Sequence, residues 1–449
     1  MATYYVGQTA AGDGTGSSVA NCSAIATFNA GTAPYDALDD DTVYLIGTIT
    51  TEVVLVDNGT AGHPITIRGD SPGNAGVLSL LTLSSNSYID FIGITTTSTA
   101  ARHGLLVSWS NNINFTDCTF DGASQAFNSA VVIGTGVTLT YNIIFDGCIF
   151  KDSGTNCGLT INASTHDITV RNSQAFGNFD NGMQAYDSVG SPYTTSPYNI
   201  YFLNNLVHDN VENGIELGWG VDTSEIKYNY VYSNGPNSNG IIISGYETSV
   251  QNGNLIAYNI VGPHLYGIVV AANSTNNHIY NNTIIMTDAV DSYTGMWFQT
   301  GVGAGNEFKN NIVWSDKDTT GPLIIIASGL INSNVTSNHN IYYNSVAGAD
   351  VFAAGGTPTY YDNIADFRTA TGQDLAVDGS QWANPLFTNV AGGDYTILSF
   401  SPCISAGADV GLTMDYAGNP VTAGSIEIGA YEYNPSILSI KVPRGVYIV

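Results

Sequence analysis

Through the middle of this chain a glycine and a polar residue each return about every 27 residues. The glycines Gly104, Gly158, Gly182, Gly214, Gly240, Gly267 and Gly295 each open a short apolar segment, with Ser129 in the one gap. The polar marks are Cys118, Cys148, Ser173, Asn205, Asn229, Asn259, Asn282, Asn311 and Asn338, which span 220 residues in eight steps, or 27.5 per step. Self-similarity at a fixed period of this size means stacked units rather than one globular core.

The unit is built of strands. Phe202-Leu-Asn-Asn205-Leu-Val, Ile256-Ala-Tyr-Asn259-Ile-Val and Phe308-Lys-Asn-Asn311-Ile-Val alternate with period two, and clusters of Asn, Gly, Ser and Asp separate the runs. Two or three short strands per repeat, with no helical crossover, suit a chain that coils on itself. Each coil then pairs with the next as parallel strands, rising roughly 4.8 Å per coil. The expected fold is all-β, a parallel β-helix of about 10–12 coils given the repeat and its flanks. Asparagines at an inward corner would stack, because a buried amide needs partners.

Four segments are expected. Residues 1–80 form an N-terminal cap and first coils, with a short helix near Ala20–Ala30. The β-helix core is 81–345. Residues 346–433 lose the period, contain a helix at Asp362–Thr371 and form an irregular C-terminal β capping region. Residues 434–449 include the apolar strand Ser436–Val449, a hazard if left free, which should dock on this chain, on another copy or on a virion or surface partner.

Only 10% of residues are charged, so Asn, Ser, Thr and Gly must solvate the coils. The net charge of −27 argues against nucleic acid or an anionic membrane as partner. No run is long and apolar enough to span a bilayer, so membrane insertion is not expected. The chain opens Met1-Ala-Thr-Tyr-Tyr-Val, without the basic start and apolar core of a secretory signal. Five cysteines show no CxxC spacing. Cys118 and Cys148 fall at the same mark in neighbouring coils, as two buried thiols or as a stacked disulfide.

Gly62-His-Pro-Ile-Thr-Ile-Arg-Gly69, the coils and a series of tail segments carry a resemblance. The tail segments are Thr371-Gly-Gln-Asp374, Asn384-Pro-Leu-Phe387, Ser401-Pro-Cys-Ile-Ser-Ala-Gly407, Asp415-Tyr-Ala-Gly-Asn-Pro420 and Ile428-Gly-Ala-Tyr-Glu432. Together they resemble bacterial and phage right-handed β-helix proteins of the pectate-lyase-like superfamily, over nearly the whole chain except its last fifteen or so residues. The resemblance implies a right-handed coil and contact with a polysaccharide in an extracellular setting, secreted, cell-surface or virion-displayed. It spans lyases, glycoside hydrolases, epimerases, tailspikes and adhesins, so the chemistry must come from residues.

In Gly-h-X-h the X position points outward. That column reads Leu106, Val131, Thr160, Gln184, Glu216, Ile242, Val269 and Trp297, and a second outward column includes Ile133, Asn162, Tyr186 and Ser244. Asp187, Trp219, Asp222 and Tyr246 lie just beyond, and His208 sits at a nearby corner. Carboxylates, amides and rings gathered on one face suit a sugar: rings stack on its C–H surface and amides read hydroxyls. Glu216 with Asp187 or Asp222 is the expected acid–base pair. Glu216 and Asp187 are about 11 Å apart on straight strands, and a turn would bring them into the roughly 6.5–9.5 Å range of inverting hydrolases. Gln184, Tyr186, Trp219, Asn162, Tyr246, Trp297 and His208 are the expected substrate-binding residues. A lyase would need a base and a cation at the uronate. The ten basic residues do not cluster on this face, so bound Ca²⁺ on Asp180, Asp209 and Glu212 would have to bridge the charges. The hydrolase needs no cofactor. A non-catalytic virion spike, decoration or adhesin is the alternative of a different class.

Overall fold

The computed structural model describes residues 1–98, 102–123, 129–134, 139–187, 195–245, 249–287, 293–316, 321–327, 334–346, 352–355, 359–375, 377 and 379–434. The chain forms two compact units, Met1–Tyr201 and Phe202–Val449. The expected docking strand Ser436–Val449 lies outside the described residues.

In the first unit, short strands stack in parallel into three sheets. The first sheet includes Ile65–Arg68, Ser87–Ile92, Asn111–Thr116, Thr140–Asp146 and Thr165–Arg171. The second includes Thr95–Thr97, Thr119–Asp121 and Ile149–Lys151. The third includes Leu81–Ser84, Leu105–Ser108, Val131–Ile133, Leu159–Ile161 and Met183–Tyr186. One circuit contributes one strand to each sheet. Alternate residues face inward, so like residues stack along the coil axis. Phe91, Phe115 and Phe145 stack with centroids 4.9 and 4.7 Å apart, and Phe120 meets Phe115 and Phe145 edge-on. The N-terminal helix is shorter than expected, Ile25–Asn29, and buries Ile25 and Phe28. Val19–Asn21 ahead of it is a 3-10 turn capped by Ser18.

Register corrects one expectation here. Leu106 pairs with Val132, and Val132 with Thr160, so the outward residue of that coil is Val132, not Val131. Val131 and Ile133 face inward and are fully buried. Ala130, not Ser129, therefore stands opposite Gly104. Cys118 and Cys148 are free thiols, buried one above the other. Burial pushes the Cys148 thiol well up, and no disulfide joins them.

The second unit has three parallel sheets of the same kind, from Leu206–His208, Ile215–Gly218 and Glu225–Lys227 onward. Its corner between first and second sheet carries an amide ladder. Asn229 Oδ1 accepts from the backbone N–H and Nδ2 of Asn205, and the pattern repeats through Asn259, Asn282 and Asn311. The ladder ends at Asn340, not Asn338. Asn338 pairs with Lys309 and faces outward. The reason is the left-handed residue that precedes each ladder asparagine: Asn204, Tyr228, Tyr258, Asn281, Asn310 and His339, with φ from 52 to 62°. That residue interrupts the period-two alternation.

The recurring glycine follows from close approach. A Cβ on Gly240 would lie 2.8 Å from the carbonyl oxygen of Gly267, and one on Gly267 would lie 2.4 Å from that of Gly295.

After the coils, the helix Ile364–Thr371 is capped by Asn363 and ends at left-handed Gly372. Asp374 follows, fully buried, and accepts from Ser337, Asn340, Ser380 and Tyr342 at 2.6–3.1 Å. From there the chain returns along the ladder corner. Asn310 exchanges hydrogen bonds with Ala408, and Asn281 Nδ2 donates to the Glu427 carbonyl. Tyr395, Ile397, Cys403, Tyr416 and Ile428 pack there on Tyr258, Ile312 and Trp314.

Candidate functional site

In the second unit the outward column of the third sheet reads Glu216, Ile242, Val269, Trp297, Ile325 and Ala353 in register. Two stations on it carry ionisable or aromatic side chains. At the first, Glu216 is half-buried on the strand Ile215–Gly218, and Ser244 Oγ of the next coil donates to its Oε1. The strand ends at Trp219, half-buried in a left-handed turn, whose N–H donates to the Ser244 carbonyl at 2.8 Å. Asp222 follows that turn. Its Oδ1 accepts from the Asn252 N–H at 2.8 Å. Burial raises the Asp222 carboxyl above its ordinary value, against the lowering by that amide. A carboxyl biased toward its protonated form meets one requirement of a general acid.

The second station is aromatic. Trp297 lies three coils from Glu216, about 14 Å at one strand spacing per coil. Its ring packs on Tyr266 at 5.0 Å, Tyr293 meets Tyr266 edge-on at 5.8 Å, and the Tyr293 and Tyr360 hydroxyls are 3.2 Å apart. That hydrogen bond, then burial, pushes the Tyr293 phenol up to about 12. Sequence reading missed Tyr266 and Tyr293. Their signal was a tyrosine one or two places before the recurring glycines Gly267 and Gly295. Between the stations Val269 is buried although it points outward, and Ile325 beyond Trp297 is buried too.

The other expected residues are placed as follows. Gln184, Tyr186 and Asp187 belong to the first unit, Glu216 and Asp222 to the second. Gln184 stands in register with Thr160, and its Oε1 accepts from Cys157 Sγ at 3.1 Å. Asp187 accepts from Ser196 Oγ at 2.9 Å. Asn162 is engaged locally, Nδ2 donating to the Gly134 carbonyl at 2.9 Å. His208 sits on the second sheet, not the third. Its ring stacks on Tyr232 at 5.1 Å, and its Nδ1 lies 2.8 Å from Asp209 Oδ2. Tyr246 lies outside the described residues, as does most of the 188–198 loop. Asp180 accepts from the Asn181 N–H, Asp209 is engaged by His208, and Glu212 is exposed. Among the described residues no three His, Cys, Asp or Glu side chains come together as a metal site. Among the same residues no helix is long and apolar enough to cross a membrane.

The family model for the right handed beta helix region matches residues 79–256. No curated protein sequence matches the chain. Solved structures do. A mannuronic acid specific polysaccharide family 6 lyase from human gut microbiota matches with TM-score 0.52 and 13% identity, over 77% of this chain and 87% of that one. The Azotobacter vinelandii mannuronan C-5 epimerase AlgE6 A-module matches with TM-score 0.51 and 18% identity, over 74% and 90%. PfbA, a surface adhesin of Streptococcus pneumoniae, matches with TM-score 0.51 and 13% identity, over 76% and 89%. The chain folds as a right-handed parallel β-helix.

Proposed function

We propose that this protein acts on a polysaccharide outside the cell, with Glu216 and Asp222 as base and acid of a glycoside hydrolysis. One observation carries the reading. Glu216, held by Ser244, shares its outward column with Trp297, whose ring belongs to a tyrosine-flanked platform. A carboxylate and a ring on one sheet face suit a sugar chain, with the ring stacking on a sugar and the carboxylate meeting a glycosidic bond. The similar structures named as acting on mannuronic acid or mannuronan support the substrate class at the level of fold alone. Calcium-assisted elimination ranks below hydrolysis because the ten basic residues of the chain do not cluster on this face, so elimination would need a bound cation. The adhesin-like structure favours a second reading, a β-helix that binds glycan without cleaving it, displayed on a cell surface or virion.

Glu216→Gln tests the first reading. It keeps the acceptor for Ser244 and removes the base. Release of reducing ends from a matched polysaccharide should cease. Native release by that variant would remove Glu216 from catalysis.

A further inference from the structure

The first unit carries an open concavity of about 430 Å³ on the outer face of its first sheet. Its floor is Tyr88 and Asp90, Asn112 and Asn114, Asn142 and Ile144, two residues from each of three successive coils. One wall is the Thr60–Pro64 turn. That turn is closed by paired backbone hydrogen bonds between Thr60 and His63 at 2.9 and 3.1 Å, so the wall is preformed.

We propose that this concavity binds an uncharged saccharide, with the Tyr88 ring under a sugar face and Asp90, Asn112, Asn114 and Asn142 reading its hydroxyl or acetamido groups. The inference rests on the polysaccharide reading but concerns a separate set of residues from Glu216 and Trp297.

Three features point to that ligand. The polar side chains hold one another in place: Asn114 Nδ2 donates to Asp90 Oδ1 at 2.7 Å, and Asn142 Nδ2 donates to Asn112 Oδ1 at 2.5 Å. An amide has two N–H groups and a carbonyl with two lone pairs, so each asparagine keeps capacity for a ligand. They are oriented in advance, which limits the ordering cost of binding.

Among the described residues that line the concavity there is no Lys or Arg, and Asp90 is a carboxylate within it. A uronate or a nucleic acid would meet repulsion without a counter-charge. The apolar lining is confined to Pro64, Ile144 and the Tyr88 ring, too little to anchor an apolar peptide.

The third feature is the tyrosine itself. Tyr88, Asn112 and Asn142 occupy one place on successive coils, all left-handed, with φ of 56, 54 and 52°. Asparagine tolerates that conformation and tyrosine does so poorly. The ring therefore sits where stability alone would favour another asparagine, as residues retained for binding often do.

The test is titration calorimetry of the full chain with neutral oligosaccharides of glucose, xylose and N-acetylglucosamine, and with oligogalacturonate as the charged comparison. At least one neutral oligosaccharide should bind. Tyr88→Asn and Asn114→Ala should each weaken it about tenfold or more, the loss expected of a central aromatic or polar anchor. Tyr88→Asn should leave the unfolding midpoint unchanged or higher, so its loss of binding cannot be a loss of fold. Native affinity in both concavity variants, binding confined to the charged oligomer, or no binding at all would overturn the inference. If Tyr88→Asn binds natively while Glu216→Gln loses turnover, the concavity assignment fails and the polysaccharide reading stands. If Glu216→Gln retains full turnover while Tyr88→Asn loses binding, the hydrolytic assignment fails and the concavity stands.

Discussion

Asn282 Oδ1 accepts two hydrogen bonds from Asn259, one from its backbone N–H and one from its Nδ2, both at 3.0 Å. The same pair of bonds joins Asn229 to Asn259, and Asn259 Nδ2 also donates to the Ile226 carbonyl at 2.8 Å. All of these residues are fully buried. Asn259→Ala would strand the Asn229 donors and the Ile226 carbonyl, at roughly 1–3 kcal/mol for each buried group left unpaired. Urea unfolding should show a loss of about 3 kcal/mol or more. A shift of a few tenths would mean that water reaches the corner.

Phe115 lies between Phe91 and Phe145 and touches Phe120. Phe115→Ala should cost about 3–5 kcal/mol, since the two flanking rings are fixed by their own coils and cannot close the cavity. The unfolding midpoint in denaturant measures it, with the slope unchanged if only stability is affected.

His264 is fully buried. Its Nδ1 donates to the Gly262 carbonyl, and its Nε2 accepts from Asn234 Nδ2 at 3.0 Å. Burial lowers its pKa to about 4. The unfolded chain therefore takes up a proton first as pH falls, and stability drops between about pH 6.5 and 4. His264→Asn should flatten that limb in thermal unfolding measured across pH. A limb unchanged by the substitution would assign it to carboxylates instead.

Glu432 behaves in the opposite sense. Burial first, then the neighbouring Glu427 carboxyl, pushes it up to about 9. Its folded form holds a proton that the unfolded form releases near pH 4.3, so stability present below that value is lost as pH rises toward 9. Glu432→Gln should lessen this alkaline decline, read as a smaller fall in the unfolding midpoint between about pH 7 and 9.

Asp222→Asn should lower turnover by about 10²-fold or more if Asp222 is the acid. It should also remove the basic limb of the rate profile, which the raised carboxyl of Asp222 would set. EDTA should leave the native rate unchanged. Loss of activity on chelation, with unsaturated products absorbing in the ultraviolet, would favour calcium-dependent elimination.

Trp297→Ala should weaken polysaccharide binding about tenfold, as expected for an aromatic anchor, without changing the cleavage position. Unchanged affinity would leave the Tyr266–Trp297 contact as packing alone.

How much of this was legible depended on range. Gly240 and Gly267 were visible as a period because each coil repeats the same close approach, and a Cβ at either would enter its neighbour's backbone. The ladder was visible as recurring asparagines, since a buried amide must find partners in the coils above and below. Asn338 for Asn340 and Val131 for Val132 were errors of register. A left-handed corner residue or an altered turn shifts the alternation by one, and composition does not mark the shift.

The chain by itself determined that strands would coil and stack, because period-two alternation within a 27.5-residue repeat has few other ways to bury its apolar face. Only the tertiary structure decided which polar residues meet. Ser244 reaches Glu216 from 28 positions away, Tyr266 packs on Trp297 from 31, and Asn142 bonds Asn112 from 30. Those contacts run across coils, where register between strands sets the neighbour, and register is a property of the assembled sheets.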